Sequence, residues 1–435
     1  MADRRMDSEF SGRGTSGDQL MRAPRSPVAA AVAPSRQGAE IVLDLSQLLS
    51  RLAHWPPADC DRVELAYARA LKALAPDRLC YAALHPSGAY GRLAAPMVEA
   101  FLDQIEQRWE SRCGAPRLEA YRLAALSYWT MRPQPVPAPV GHRVLLQVSP
   151  HQLHRPRIIA RKLRRESARF ICLAQNLAPA AHPQYARPGR EALGAQQLAT
   201  IEALADGLLL PSRSGVERTL DVSGERRRPL RTRIERLGVE LRLDPARYRA
   251  DQPPYFVCLG TIEPHANHLL LLNVWHSIVA ALGREQAPRL LLVGRRGWQH
   301  RPVTDMLKRC SNLRGIVQER PPLPDRDLRD LLRGARAVLT PAFDAESTMT
   351  ITTALASGAP VLASGIASHR EAGGTIPDYI DPIDGDAWRR AILSYQAAAH
   401  PRRLLQLERI AAWRPLTWQE HVGTALSLIE EVVAC

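Results

Sequence analysis

Four loops in the second half of the chain carry the residues best suited to chemistry on an anionic ligand. The first follows the apolar run Tyr255 to Leu259 and reads Gly260-Thr261-Ile262-Glu263-Pro264-His265-Ala266-Asn267-His268. Glycine lets the backbone approach a phosphate closely, and the start of the helix that follows offers free amide donors. The second, Gly294-Arg295-Arg296-Gly297-Trp298, follows Arg289 to Val293 and brings guanidinium groups, whose planar fork donates two parallel bonds to a phosphate. The third runs from Pro341 to Thr350 through Asp344, Glu346, Ser347, Thr348 and Met349, and the fourth, Ser364 to Gly374, contains Ser368-His369-Arg370-Glu371. His151 and His154, near the end of the run Val144 to Val148, can reach an acceptor, although such histidines are more often loop surface. None of these loops is the G-x-G-x-x-G of dinucleotide enzymes, which argues against a dehydrogenase. The seven cysteines are odd in number, scattered and never paired as C-x-x-C, so a reduced compartment and no zinc site are expected.

These loops need elements to hold them. A chain of 435 residues exceeds what one core usually serves, and two domains are the natural expectation. Residues 1–40 mix Arg, Ser, Gly, Asp and Ala without periodicity and read as a disordered tail. From Ile41 onward, strand-like runs (41–45, 79–84, 144–148, 170–174, 207–210) alternate with helical ones such as Asp61 to Leu74. After the Asp251-Gln252-Pro253-Pro254 break the alternation resumes, with strands expected at 255–259, 289–293, 313–317, 337–340 and 360–363. Buried strands alternating with amphipathic helices specify a parallel, helix-covered sheet, which binds ligands beyond the carboxyl ends of its strands. The expected organisation is therefore α/β: a Rossmann-like domain at 41–250, a second at 251–415, and a final helix within 416–435 packing back on the first. No apolar run reaches the roughly 20 residues that span a bilayer, and no charged-then-apolar leader opens the chain, so a cytoplasmic protein is expected.

The formal charge of +14 is almost all arginine. Arg155, Arg157, Arg161, Lys162, Arg164, Arg165 and Arg169 form one cluster; Arg226, Arg227, Arg228, Arg231, Arg233 and Arg236 form another. The first falls on a helix with Ile158, Ile159 and Leu163 as its apolar side, which suits peripheral docking on an anionic membrane face; a solvated helix face is the plainer reading. Nucleic acid is disfavoured, because no aromatic residues interleave the charges and no binding module is present.

Taken in order, the motifs resemble bacterial members of glycosyltransferase family 4. Gly260-Thr261-Ile262-Glu263-Pro264 with Asn267-His268, Leu292-Val293-Gly294 with Arg296-Gly297-Trp298, and Ala354-Leu355-Ala356-Ser357-Gly358 with Pro360-Val361 carry the resemblance, and Ser368-His369-Arg370-Glu371 with Asp381-Pro382-Ile383-Asp384 extends it. In the first half His182-Pro183-Gln184-Tyr185 with Arg187-Pro188-Gly189 also looks like this group. The resemblance implies a GT-B architecture of two facing Rossmann-like domains and a retaining, metal-independent transfer of sugar from a nucleotide-sugar donor, with no cofactor. It implies donor contacts at Gly260, Thr261, His265, Arg295, Ser347, Thr348, Met349 and Thr353, and catalytic roles for Gln175 and Glu346. The sequence also departs from the family. His265 and Ala266 occupy the usual Arg-Lys pair, Ala345 and Thr353 the two usual glutamates, and Gln175-Asn176-Leu177 the frequent His-Asp-Leu.

The leading functional expectation is transfer of a sugar, with retention, to a glycan or lipid-linked acceptor in surface polysaccharide assembly, at the inner face of the cytoplasmic membrane. The departures favour a rival: a catalytically inactive GT-B homologue acting as scaffold or regulatory partner.

Overall fold

The computed structural model describes residues 38–110, 117–175, 183–185, 187–213, 230–240, 254–344 and 348–434. The expected tail at 1–37 lies outside these residues. Order is visible before Ile41, however: Ala39 is buried and Glu40 opens the first strand.

The first lobe is a seven-stranded sheet. In chain order its strands are β1 (Glu40–Asp44), β2 (Leu79–Leu84), β3 (Tyr90–Leu93), β4 (Arg143–Gln147), β5 (Arg169–Leu173), β6 (Gly207–Leu210) and β7 (Arg231–Ile234). The spatial order is β3-β2-β1-β4-β5-β6-β7, parallel throughout except for the β2–β3 hairpin. Its central strands are apolar on both faces, as strands covered by helices on each side must be. Among the helices are α1 (Ser46–Ser50), α2 (Asp59–Leu74), α3 (Ala95–Glu110), α4 (Arg117–Thr130), α5 (Pro156–Glu166) and α6 (Arg190–Leu204).

The second lobe is a fully parallel six-stranded sheet: β8 (Tyr255–Leu259), β9 (Arg289–Val293), β10 (Val317–Arg320), β11 (Val338–Thr340), β12 (Val361–Ser364) and β13 (Asp378–Ile380). The order β10-β9-β8-β11-β12-β13 reverses direction at β8, the doubly wound topology whose switch point opens a crevice at the carboxyl ends. Helix α7 (His268–Leu282) covers it with Leu271, Leu272, Trp275, Ile278 and Val279 at helical spacing, and Trp275 Nε1 donates to Pro288 O at 2.8 Å. Helices α8 (Arg301–Arg309), α9 (Asp325–Gly334), α10 (Met349–Ala356), α11 (Ala367–Gly373), α12 (Gly385–Gln396) and α13 (Pro401–Ala411) complete the lobe.

The last helix, α14 (Trp418–Val433), returns to the first lobe. It starts in a capping box between Thr417 and Glu420 and buries Val422, Ala425, Leu428, Ile429 and Val432 in the core that also holds Ile41, Val63 and Leu71. The chain thus passes between the lobes twice, and the two passages lie side by side, Val239 N donating to Leu416 O at 2.8 Å. Within α14, His421 is fully buried; its ring bonds Tyr67 Oη at 2.7 Å and Arg236 O at 2.8 Å, and burial pushes its pKa down to about 4.

Candidate active site

A cleft of about 1040 Å³ separates the lobes. Its second-lobe wall is built by the loops after β8 and β9, which lie side by side. Gly260 N donates to Val293 O at 3.1 Å, Ile262 N to Arg295 O at 2.9 Å, and Gly297 N to Ile262 O at 3.1 Å. This arrangement requires two glycines. Gly260 has φ +130°, and a Cβ on Gly294 would stand 1.9 Å from Gly260 O. Among the described residues the amides of Thr261 and Arg295 take no part in this bonding, and both residues line the cleft. Free amides at the carboxyl end of a parallel sheet are the donors that a diphosphate needs.

The two arginines of the second loop part company. Arg296 is held by Glu319 through Nε at 2.7 Å and Nη2 at 2.8 Å. Arg295 has no ion pair among the described residues; its Nε lies 3.5 Å from Thr261 Oγ1, on the cleft wall. His265 also lines the cleft, its Nδ1 3.7 Å from Glu263 Oε2. Ala266 and Thr353 line it too, so two positions for which the resemblance implies charged side chains face the same space with neutral ones. Met349 lines the cleft and also packs against the first-lobe core. Thr348 lines a separate small hollow with Trp413 and Glu371. Glu346 and Ser347, like Ala345, lie outside the described residues.

Gln175 is placed differently from the other candidates. It is buried at the end of β5, its Nε2 donates to Val148 O at 2.8 Å, and it is not among the residues lining the cleft. An amide committed to a main-chain carbonyl serves the first-lobe core. The basic helix α5 needs a similar correction: Lys162 is not on its exposed face but fully buried, its Nζ 2.5 Å from Asp44 Oδ2. Burial acts to raise the Asp44 carboxyl, but Lys162 and the two bonds from Ser46 outweigh it and hold the group below the usual carboxylate range. Arg155, Arg157, Arg161, Arg164 and Arg165 remain exposed. Of the second cluster, Arg226 to Arg228 lie outside the described residues, and Arg233 pairs with Glu431.

The floor of the second-lobe side is polar in a way that its sequence did not announce. Thr340 at the end of β11 lines the cleft, and its buried Oγ1 has no partner among the described residues. His369, 3% exposed, also lines it. Its Nδ1 lies 3.1 Å from Ser364 O, a carbonyl that only accepts, so Nδ1 carries the proton and Nε2 keeps its lone pair. Burial lowers its pKa to about 4, so the ring is neutral at pH 7. Nearby, His268 has no partner on either ring nitrogen among the described residues, and burial with the charge of His265 lowers it to about 4. The usable signal was Ser368-His369-Arg370-Glu371, a motif that spacing alone could not place under the cleft.

The lobes are pinned across the cleft by charge. Arg62 of α2 bonds Asp325 through two nitrogens, at 2.7 and 2.6 Å, and Arg329 of α9 bonds Glu110 likewise, at 2.9 and 2.7 Å. Arg187, just before α6, bonds Glu263 in the first loop of the second lobe.

Comparison with known proteins agrees with this geometry. The family model described as Glycosyl transferases group 1 matches residues 253–395, which comprise the second sheet and its loops. Over 179 residues the chain is 29% identical to O-antigen chain mannosyltransferase B of Escherichia coli, a match covering 40% of this chain and 46% of that enzyme. The matched region therefore spans less than half of that relative. Sucrose-phosphate synthase from Thermosynechococcus elongatus superposes with a TM-score of 0.59 at 17% identity, covering 91% of this chain and 99% of that one. Anabaena HepE in complex with UDP-glucose gives 0.54 at 12% identity, covering 91% and 98%. At such identities the likeness is one of fold, and it extends over both lobes. The fold of both lobes is thus GT-B, and the second lobe, over residues 253–395, is similar to the group 1 glycosyl transferases.

Proposed function

We propose that the protein transfers a sugar from a nucleotide-sugar donor to a glycan or lipid-linked acceptor, with retention at the anomeric carbon, in the assembly of a surface polysaccharide. The observation that carries this reading is the wall of the cleft: paired glycine turns with amides at Thr261 and Arg295, and beside them the Arg295 guanidinium, none of which has an acceptor or ion-pair partner closer than Thr261 Oγ1 among the described residues. Such a wall stabilises a departing diphosphate by fixed donors in a partly enclosed space, without reorganisation during reaction. In this reading no metal ion or cofactor takes part, and neutral His369 and Thr340 accept and donate to sugar or ribose hydroxyls. The polysaccharide context is supported by the relative named for O-antigen synthesis, and the UDP-sugar class by the neighbour bound to UDP-glucose. The exposed arginines of α5 supply a peripheral contact with an anionic membrane, where a lipid-linked acceptor resides.

A second reading keeps the fold and drops the chemistry. It is favoured by Ala266 and Thr353, both on the cleft wall and both unable to carry charge. Purified protein screened against nucleotide sugars separates the two. The transferase reading expects thermal stabilisation by at least one donor, and its turnover with a glycan or lipid-linked acceptor. Stabilisation without turnover under any acceptor supports the inactive scaffold, and no stabilisation by any donor removes the donor site itself.

A further inference from the structure

The loop Gly260–His268 contains neither lysine nor arginine, and its neighbour contributes only Arg295, since Arg296 is committed to Glu319. Among the described residues, a diphosphate placed on these amides would meet one guanidinium without an ion pair from its own lobe, that of Arg295. A second cation approaches from the opposite lobe. Arg187 lines the cleft with half of its side chain exposed, while its partner Glu263 is nearly buried. One nitrogen, Nη2, donates to Glu263 Oε1; among the described residues Nε and Nη1 have no partner. Glu263 is itself fixed, lying 3.4 Å from Trp298 N and 3.7 Å from His265 Nδ1, so it orients the guanidinium over the loop without consuming its other donors. The segment carrying Arg187 is seated on the same loop. Tyr185 stacks on Phe343 with ring centres 4.9 Å apart and planes 15° from parallel, and Phe343 N donates to His265 O at 2.9 Å.

We propose that Arg187 of the first lobe is a ligand for the diphosphate of a nucleoside diphosphate held on the second lobe. The proposal rests on the donor-site reading above and is separable from it by experiment. Isothermal titration of wild type, Arg187→Ala, Arg187→Lys and Arg295→Ala with ADP, GDP, UDP and dTDP, and with the corresponding nucleosides, provides the test. For whichever diphosphate binds, Arg187→Ala is expected to weaken it about tenfold, the size of one lost charge-assisted contact. Arg187→Lys should lose less, and nucleoside binding should not change. Full affinity in Arg187→Ala alongside a loss in Arg295→Ala overturns the proposal and leaves the donor site standing. Equal weakening of nucleoside and diphosphate also overturns it, because the residue would then act through structure alone. Binding of no diphosphate by the wild type overturns the donor site and this proposal together.

Discussion

The two lobes treat the polar groups at the carboxyl ends of their strands in opposite ways. In the first, such groups are largely spent on one another. Asp44 is bound by Lys162 and Ser46, Ser149 Oγ donates to Glu64 at 2.6 Å, Gln147 Nε2 donates to the carbonyls of Ser149 and His151, and Gln175 Nε2 to that of Val148. In the second, Thr340 Oγ1, Ser364 Oγ and His268 have no partner among the described residues, and Thr340 lines the cleft. Buried polar groups left unmade cost on the order of 1–3 kcal/mol each, and a ligand can return that cost. The comparison teaches that the same architecture can be finished internally on one side and left for a ligand to finish on the other.

Acid should have the largest effect, and it should reach both lobes. Folded His268, His369 and His421 hold pKa values of about 4, against about 6.5 for an unburied imidazole. Between those values the unfolded chain takes up protons that the folded chain refuses, so stability falls as pH drops from about 6.5 to about 4, by about 1.4 kcal/mol per unit for each histidine. Glu64 has the opposite sign. Burial holds its carboxyl well above the usual range, so its contribution is present at low pH and fades as pH rises through its folded value. His268 and His369 lie in the second lobe, His421 and His151, the latter also pushed by burial to about 4, in the first, so hydrogen exchange should show both lobes losing protection on acidification, with Glu64 offsetting part of the loss in the first.

Lys162→Met should destabilise the first lobe by about 3–5 kcal/mol in chemical unfolding, because Asp44 is left buried without its partner. Pairing it with Asp44→Asn should restore much of the loss. Neither change should alter nucleoside diphosphate affinity, and a matching loss of binding would contradict the division of labour. Arg295→Ala inverts the pattern: stability within about 0.5 kcal/mol of wild type, with diphosphate affinity down about tenfold. The smallest effect is expected from Arg329→Ala, which removes one part-exposed ion pair between lobes. It should cost under about 1 kcal/mol, and small-angle scattering at low salt should show a wider spread of lobe separations.

The central strands of both lobes were legible in the sequence, and the edge strands β3, β7, β10 and β13 were not. Strands at 255–259 and 289–293 were readable because their apolar runs are bounded by glycine turns, and the turns themselves marked the cleft wall. Strand β10 was expected at 313–317 but runs Val317–Arg320: Leu313 is buried from a turn, and this edge strand alternates with Gln318 and Arg320. The same polarity hid β7, whose Arg231 and Arg233 look like surface charge, and β3, a four-residue hairpin arm. Gln175 was misplaced for another reason. A polar residue after a buried strand reads alike whether it faces a ligand or a neighbouring carbonyl. Arg187 and Glu263 were each visible in a motif, but residues 76 positions apart give no hint of a bond.

The return of α14 has a consequence for the order of synthesis. The apolar seam of the lobe made first is sealed by Val422, Leu428, Ile429 and Val432, which are made only after the whole second lobe. While the second lobe is translated, that seam waits uncovered, exposed to holdase chaperones and to misassociation between nascent chains. Yield should therefore depend on how quickly the ribosome translates the second lobe and α14, and supplying the 418–433 segment in trans to a chain stalled before it should relieve aggregation.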